Sequence, residues 1–172
     1  MILLIFMPYL LSKQIKKLLN EDNKYDFPIE YFCNLLSYID FLEKAKEEDY
    51  IIYHDDHTFE YTPKFYSFIT ALFDSRLVED VNNMTEFLKS YECKCAYQAW
   101  IMEMNEILSN EYLLKQMNIS FVRKAFFTLI RMENILPGSW GIDVETGNWL
   151  KLLRLLKQIF PEVYRCDKKI MN

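Results

Sequence analysis

Glycine and proline are scarce, with 3 and 5 in 172 residues. That is too few for an all-β chain, which needs a tight turn between each pair of strands. Histidine is scarcer still, at 2, so general acid–base work would fall to carboxylates, and nothing in the spacing marks a pair of them. There is no Gly-rich phosphate loop, no Gly-x-Ser-x-Gly elbow and no His-Glu-x-x-His helix. These absences weigh against an enzyme and call for no cofactor. The 4 cysteines, Cys33, Cys93, Cys95 and Cys166, are too few for a disulfide scaffold at this length. They read as reduced thiols of a cytoplasmic protein. Cys93-Lys94-Cys95 lacks the two-residue spacing of a redox or zinc knuckle.

Long apolar runs are missing too. The stretch from Ile2 to Leu11 is the most apolar, but a bilayer takes about 20 residues. It also lacks the basic flank and small-residue cleavage site of a signal peptide. No membrane is expected as a partner. Residues 1–8 read as an apolar N-terminal extension, with two alternatives for it. Translation begins at Met7, or the segment packs on the core as a strand or tail.

What is present points to a helical globule. Hydrophobic residues make up 51% and charged residues 26% of the chain, a globular balance, and the length suits one domain over residues 1–172. Apolar residues at helical spacing predict a helix over Tyr9–Asn20 and another from Asp26-Phe27-Pro28. The second runs on through Phe32, Leu36 and Ile39 to Lys46. Thr62-Pro63 should cap a helix burying Phe65, Phe68, Ile69, Leu72 and Phe73, with a loop or a short extended piece from Asp74 to Val81. A short helix is expected near Met84–Tyr91 and a longer one near Cys93–Ser109, the latter carrying Tyr97, Trp100, Ile101, Met104, Ile107 and Leu108. Ser120 is expected to cap a helix through Arg131. Gly141–Gly147 reads as an irregular connector, and Trp149 to Phe160 as the last long helix. Tyr50–Tyr53 and His57–Tyr61 are β-like and suggest a small hairpin near 50–61, turning at Asp55-Asp56. The expected class is mainly α, a compact fold of six or seven helices with that hairpin.

Charge is uneven. Residues 21–60 hold 12 acids and 3 bases, whereas residues 151–172 hold 2 acids and 6 bases, the latter including a basic C-terminal tail over 161–172. Tyrosines accompany the acids, and an acidic face with aromatic contact area suits a basic protein partner. Glu47, Glu48, Asp49, Tyr50, Tyr53, Asp55, Asp56 and Tyr61 are the candidate partner-binding residues. His54-Asp55-Asp56-His57 with Glu60 is the one dense group of metal-capable side chains. On a strand, however, His54 and His57 would face opposite ways, which leaves them weak metal candidates.

The strongest pattern runs from Phe127 to Trp140. A helix ends in Arg131 and Glu133, Pro137-Gly138 turns the chain, and Trp140 returns toward the core. A structural knot is the expected role, Arg131 meeting the last carbonyls of its helix and Glu133 a nearby helix N-terminus, with an exposed recognition site as the alternative. At these residues the sequence resembles an uncharacterised bacterial and phage family, a domain of unknown function. Its pattern is Arg-x-Glu-Arg-Phe-x-x-Gly, a short loop, and a Gly-led helix rich in Leu and basic residues. The match is at Arg131, Glu133 and Gly138, then Gly147 with Leu150, Leu153, Arg154 and Leu156. Asn134 and Ile135 stand in place of the second Arg and the Phe. Tyr61–Asp74 and Leu77-Val78 also fit, while Asp80-Val81-Asn82 replaces a Phe-Asp-Trp. The resemblance spans roughly Ile29–Phe160 and implies a compact helical fold in the cytoplasm, with no activity attached.

The function expected first is a non-enzymatic protein-binding module. In its concrete form it is a phage or mobile-element inhibitor that covers the basic channel of a host nucleic-acid-targeting defence system, in the manner of an anti-CRISPR protein. Direct nucleic-acid binding is disfavoured by the net charge of −5. Two alternatives stand beside it: a nucleic-acid binder using Lys151, Arg154, Lys157, Arg165, Lys168 and Lys169 of the last helix and tail, and a metal-dependent enzyme around His54 and His57.

Overall fold

The computed structural model describes residues 29–78 and 94–160. The expected extension at 1–8, the helices over Tyr9–Asn20 and near Met84–Tyr91, and the tail 161–172 lie outside the described residues. What is described is mainly helical with one two-stranded antiparallel sheet.

Helix α1 (Ile29–Leu36) buries Phe32 and Leu35. The single helix expected to continue through Lys46 is interrupted. The Ser37 hydroxyl donates back to the Asn34 carbonyl at 2.6 Å, and Tyr38 N–H reaches Leu35 O in a tighter turn. Such a local side-chain bond competes with the i→i−4 ladder. The chain resumes as α2 (Ile39–Lys44), becomes extended at Ala45, and makes the single turn α3 (Glu47–Tyr50).

Strands β1 (Ile51–Tyr53) and β2 (Phe59–Tyr61) pair with Ile51 opposite Tyr61, Ile52 opposite Glu60 and Tyr53 opposite Phe59. This register buries the Ile51–Tyr61 pair and leaves Ile52 and Glu60 outside, as alternation requires. Thr62 then serves both neighbours. Its hydroxyl accepts Phe65 N–H at 3.2 Å as the cap of α4 (Pro63–Asp74), and its own N–H donates to Tyr50 O at 3.0 Å. In α4, Phe65, Phe68, Ile69 and Leu72 are buried, but Phe73 is 45% exposed. Phe73 sits one residue beyond Leu72, about 100° round the helix and off the inner stripe. A turn over Ser75–Val78 ends the segment, with Leu77 and Val78 buried.

Helix α5 (Lys94–Ser109) buries Trp100, Met104, Ile107 and Leu108 and stops at Asn110. The Asn110 side-chain oxygen accepts from the N–H groups of Tyr112 and Leu113 and so caps α6 (Glu111–Leu114). Helix α7 (Ile119–Ile135) begins earlier and ends later than expected. Its cap is Asn118, which accepts Phe121 N–H at 3.1 Å, and Ser120 lies buried inside the first turn. Asn and Ser are equivalent as caps; starting at Asn118 lets Ile119 join the buried face. The expected connector after Gly141 is instead helical, α8 (Ser139–Glu145), and α9 (Asn148–Ile159) follows.

A contiguous core joins these elements, from Phe32 to Leu156. Trp149 lies at its centre, stacked on Phe126 with ring centroids 6.1 Å apart and meeting Phe68 edge-on at 5.4 Å. The hairpin sits on the same core through Tyr61, whose ring is 5.2 Å from Phe65 and 5.3 Å from Trp140. This places the acidic residues on a fixed support.

Candidate functional site

Residues 47–60 contain six carboxylates and no lysine or arginine. The structure gathers them on α3 and the hairpin. Glu47, Glu48 and Asp49 form the first turn of α3, where acidic side chains favour the N-terminal end of the backbone dipole. Asp49 Oδ2 accepts the Lys46 N–H at 2.9 Å, and the Asp49 carbonyl accepts the Thr62 hydroxyl at 2.7 Å. At the hairpin tip, Asp56 Oδ1 accepts the Thr58 N–H and hydroxyl, and these bonds hold its carboxyl below the usual range. The tip closes with His57 in the left-handed region at φ 65°.

All six of these carboxylates are exposed, and Tyr53 beside them is 64% exposed. The Tyr53 phenol faces Glu47, whose carboxylate is the main cause of its raised pKa. Glu145 of α8 adds a further exposed carboxylate beside Tyr50 and Tyr53, and one turn before it Ile142 is 50% exposed. The result is an acidic surface with an apolar and aromatic component.

Two of the tyrosines expected on that surface are not part of it. Tyr50 and Tyr61 are 3% and 5% exposed. Tyr50 donates to Glu145 Oε1 at 3.2 Å, and burial first, then this carboxylate, pushes its pKa up to about 12. Tyr61 donates to Glu133 Oε2 at 2.8 Å and is raised further, again with burial as the largest cause. Both hold the face in place from beneath. Glu47, Glu48, Asp49, Tyr53, Asp55 and Asp56 remain as the accessible set.

His54 and His57 lie in the turn region, not on a strand. His54 Nε2 is 3.6 Å from Glu60 Oε1. Among the described residues no group of three or more His, Cys, Asp or Glu side chains converges as a metal site would require.

Under the hairpin, Glu133 gathers four hydrogen-bond donors. Glu133 Oε1 accepts the Gly138 N–H at 2.8 Å; Oε2 accepts the Trp140 N–H at 2.9 Å, the Ser139 hydroxyl at 3.3 Å and the Tyr61 phenol at 2.8 Å. A carboxylate thus caps the part-buried N–H groups at the start of α8, which have no partner within the helix, while anchoring β2. Gly138 makes the turn possible, with φ at +92°. Trp140 completes the knot: its indole N–H donates to Leu129 O, and its own carbonyl accepts from Trp149 Nε1. Arg131 takes another place. Its guanidinium lies 5.5 Å from the centre of the Tyr97 ring, a cation–π contact with α5.

Two further buried carboxyls escaped the sequence reading. Glu103 on α5 is 3% exposed, one of its oxygens has no hydrogen-bond partner, and burial pushes its pKa up to about 7 against the pull of Lys124. Glu103 falls three residues after Trp100 and four before Ile107, so the helical stripe did mark it as inward. Asp143 on α8, 9% exposed, accepts from Asn148 Nδ2 at 2.8 Å. Burial raises it to about 6, with Glu133 adding to the rise and Asn148 opposing it.

The basic stripe on α9 is partly engaged, since Arg154 pairs with Glu43 of α2. Among the described residues no helix is long and apolar enough to cross a membrane. Comparison of the chain with protein-family models, with curated proteins and with solved structures gives no match.

Proposed function

We propose that this chain is a non-enzymatic protein-binding module whose contact surface is the acidic face of α3 and the hairpin. The observation that carries the reading is the exposed run of carboxylates at 47–60, free of lysine and arginine, around Tyr53 and Ile52, both accessible. An aromatic side chain supplies contact area at low entropic cost, and ordered carboxylates steer and orient a basic partner. The partner is a protein with a basic, nucleic-acid-binding surface. In its most concrete form, the module is a phage or mobile-element inhibitor of a host nucleic-acid-targeting defence system, anti-CRISPR-like in action. The net charge of −5 speaks against the alternative of direct nucleic-acid binding through α9.

The test compares the wild type with a variant carrying Glu48→Lys, Tyr53→Ala and Asp55→Lys as baits in a bacterial lysate. A basic protein retained by the wild type, released by moderate salt and lost with the variant supports the proposal. Equal retention by both baits contradicts it.

A further inference from the structure

A groove of about 380 Å³ opens between the C-terminal end of α5, α6 and α9. Its floor is apolar: Leu108, Leu114 and Leu155 line it and are all more than nine-tenths buried. Its rim carries three cations, Lys115, Lys151 and Arg154, and one carboxylate, Glu111. The rim is also braced. Gln158 Nε2 donates to Lys115 O at 3.3 Å, which ties α9 to the end of α6.

The three cations are not equivalent. Lys115 lies 2.6 Å from Glu111 on an exposed turn, and Arg154 is paired with Glu43. Lys151 is half-buried and has no carboxylate within ion-pair distance among the described residues. Its side chain lines the groove beside the apolar floor, and its ammonium lacks the counter-ion that the other two cations have. An anion placed there supplies one. The same anion gains from the two flanking cations, whose charge their own carboxylates only partly offset in solvent.

We infer that this groove is a binding site for a small amphipathic anion. Its carboxylate, sulfonate or phosphate head meets Lys151, and its aromatic or aliphatic body lies over Leu108, Leu114 and Leu155. The volume falls in the range of small-ligand pockets, which are mostly apolar with a few placed polar groups. The site shares no residue with the acidic face, so neither reading depends on the other.

The experiment titrates the full chain with 8-anilinonaphthalene-1-sulfonate and, in parallel, with the uncharged N-phenyl-1-naphthylamine. Lys151→Met keeps the apolar stem and removes the charge, Lys151→Arg restores a cation, and Lys46→Met on another element is the control. Circular dichroism verifies that each variant folds. Saturable binding of one sulfonate probe per chain is expected, weakened about tenfold by Lys151→Met, the value of one charge-assisted contact. Lys151→Arg and Lys46→Met should stay close to wild type, and the uncharged probe should not distinguish the variants. The inference fails if Lys151→Met binds the sulfonate as tightly as wild type does, or if the wild type shows no saturable binding.

Discussion

The Tyr61 phenol and the Glu133 carboxylate, 72 residues apart in the chain, are joined by a 2.8 Å hydrogen bond. Through it the hairpin that carries the acidic face is fastened to the end of α7 and the start of α8. Glu133→Ala would leave two backbone N–H groups, a hydroxyl and a phenol without their acceptor. A loss of roughly 3 kcal/mol or more in urea unfolding is expected, since each unsatisfied buried donor costs about 1–3 kcal/mol. Tyr61→Phe removes one of the four bonds and should cost about 1–2 kcal/mol. A double-mutant cycle on the pair should show a coupling of at least about 0.5 kcal/mol; strict additivity would mean that the bond does not fasten the hairpin.

Gly138 holds φ +92°, and a Cβ built there meets only Phe59, at an ordinary 3.7 Å. The cost of Gly138→Ala is therefore conformational and not steric crowding. It should destabilise by about 1–2 kcal/mol, the penalty for an L-residue in the left-handed region. Thermal unfolding of the variant measures this, and an unchanged midpoint would show that the turn relaxes freely.

Much of this arrangement was legible in the sequence, and the parts that were not have identifiable reasons. Glu133, Gly138 and Trp140 stood out because an acid, a turn and an aromatic in that order suggest a capped helix start. What stayed hidden was the helix they start. Ser139–Glu145 has too short a run for its apolar period to show, and it depends on a carboxylate six residues upstream of its first residue. The hairpin was visible from β-type composition, but the burial of Tyr61 was not drawn from it. The signal was there, since Glu60 between Phe59 and Tyr61 sets which side faces out. Tyr50 gave no such signal, because it ends a one-turn helix whose orientation is decided by packing against Phe65 of α4 and against α8. The break at Ser37 was masked by good apolar spacing on both sides of it.

Glu103 and Asp143 make stability depend on pH in a definite direction. Both have folded pKa values above their ordinary ones, at about 7 and about 6, so the folded state binds protons that the unfolded chain has released. Their stabilising contribution is complete near pH 4 and is lost as pH rises through 6 and 7. Glu103→Gln should flatten the part of this slope that lies between pH 5 and 7. It should raise stability at pH 8 by roughly 1–2 kcal/mol, because the buried charge no longer forms. Urea unfolding at pH 5 and pH 8 measures both effects, and a variant with the wild-type slope would contradict this assignment.

Trp100 donates its indole N–H to the Thr128 hydroxyl at 2.9 Å, both residues being essentially inaccessible. Thr128→Val is nearly isosteric but leaves that donor unpaired, so a loss of about 1–3 kcal/mol is expected. Thr128→Ser keeps the hydroxyl and should lose less. A larger loss in Thr128→Ser than in Thr128→Val would show that the methyl group, and not the bond, matters at this position.

The acidic face itself is tested most directly by amide hydrogen exchange on the chain bound to the basic protein it captures. Slowed exchange confined to residues 47–60 and the neighbouring end of α8 is the expected outcome. Protection concentrated on α9 or α5, with the hairpin unchanged, would contradict the account.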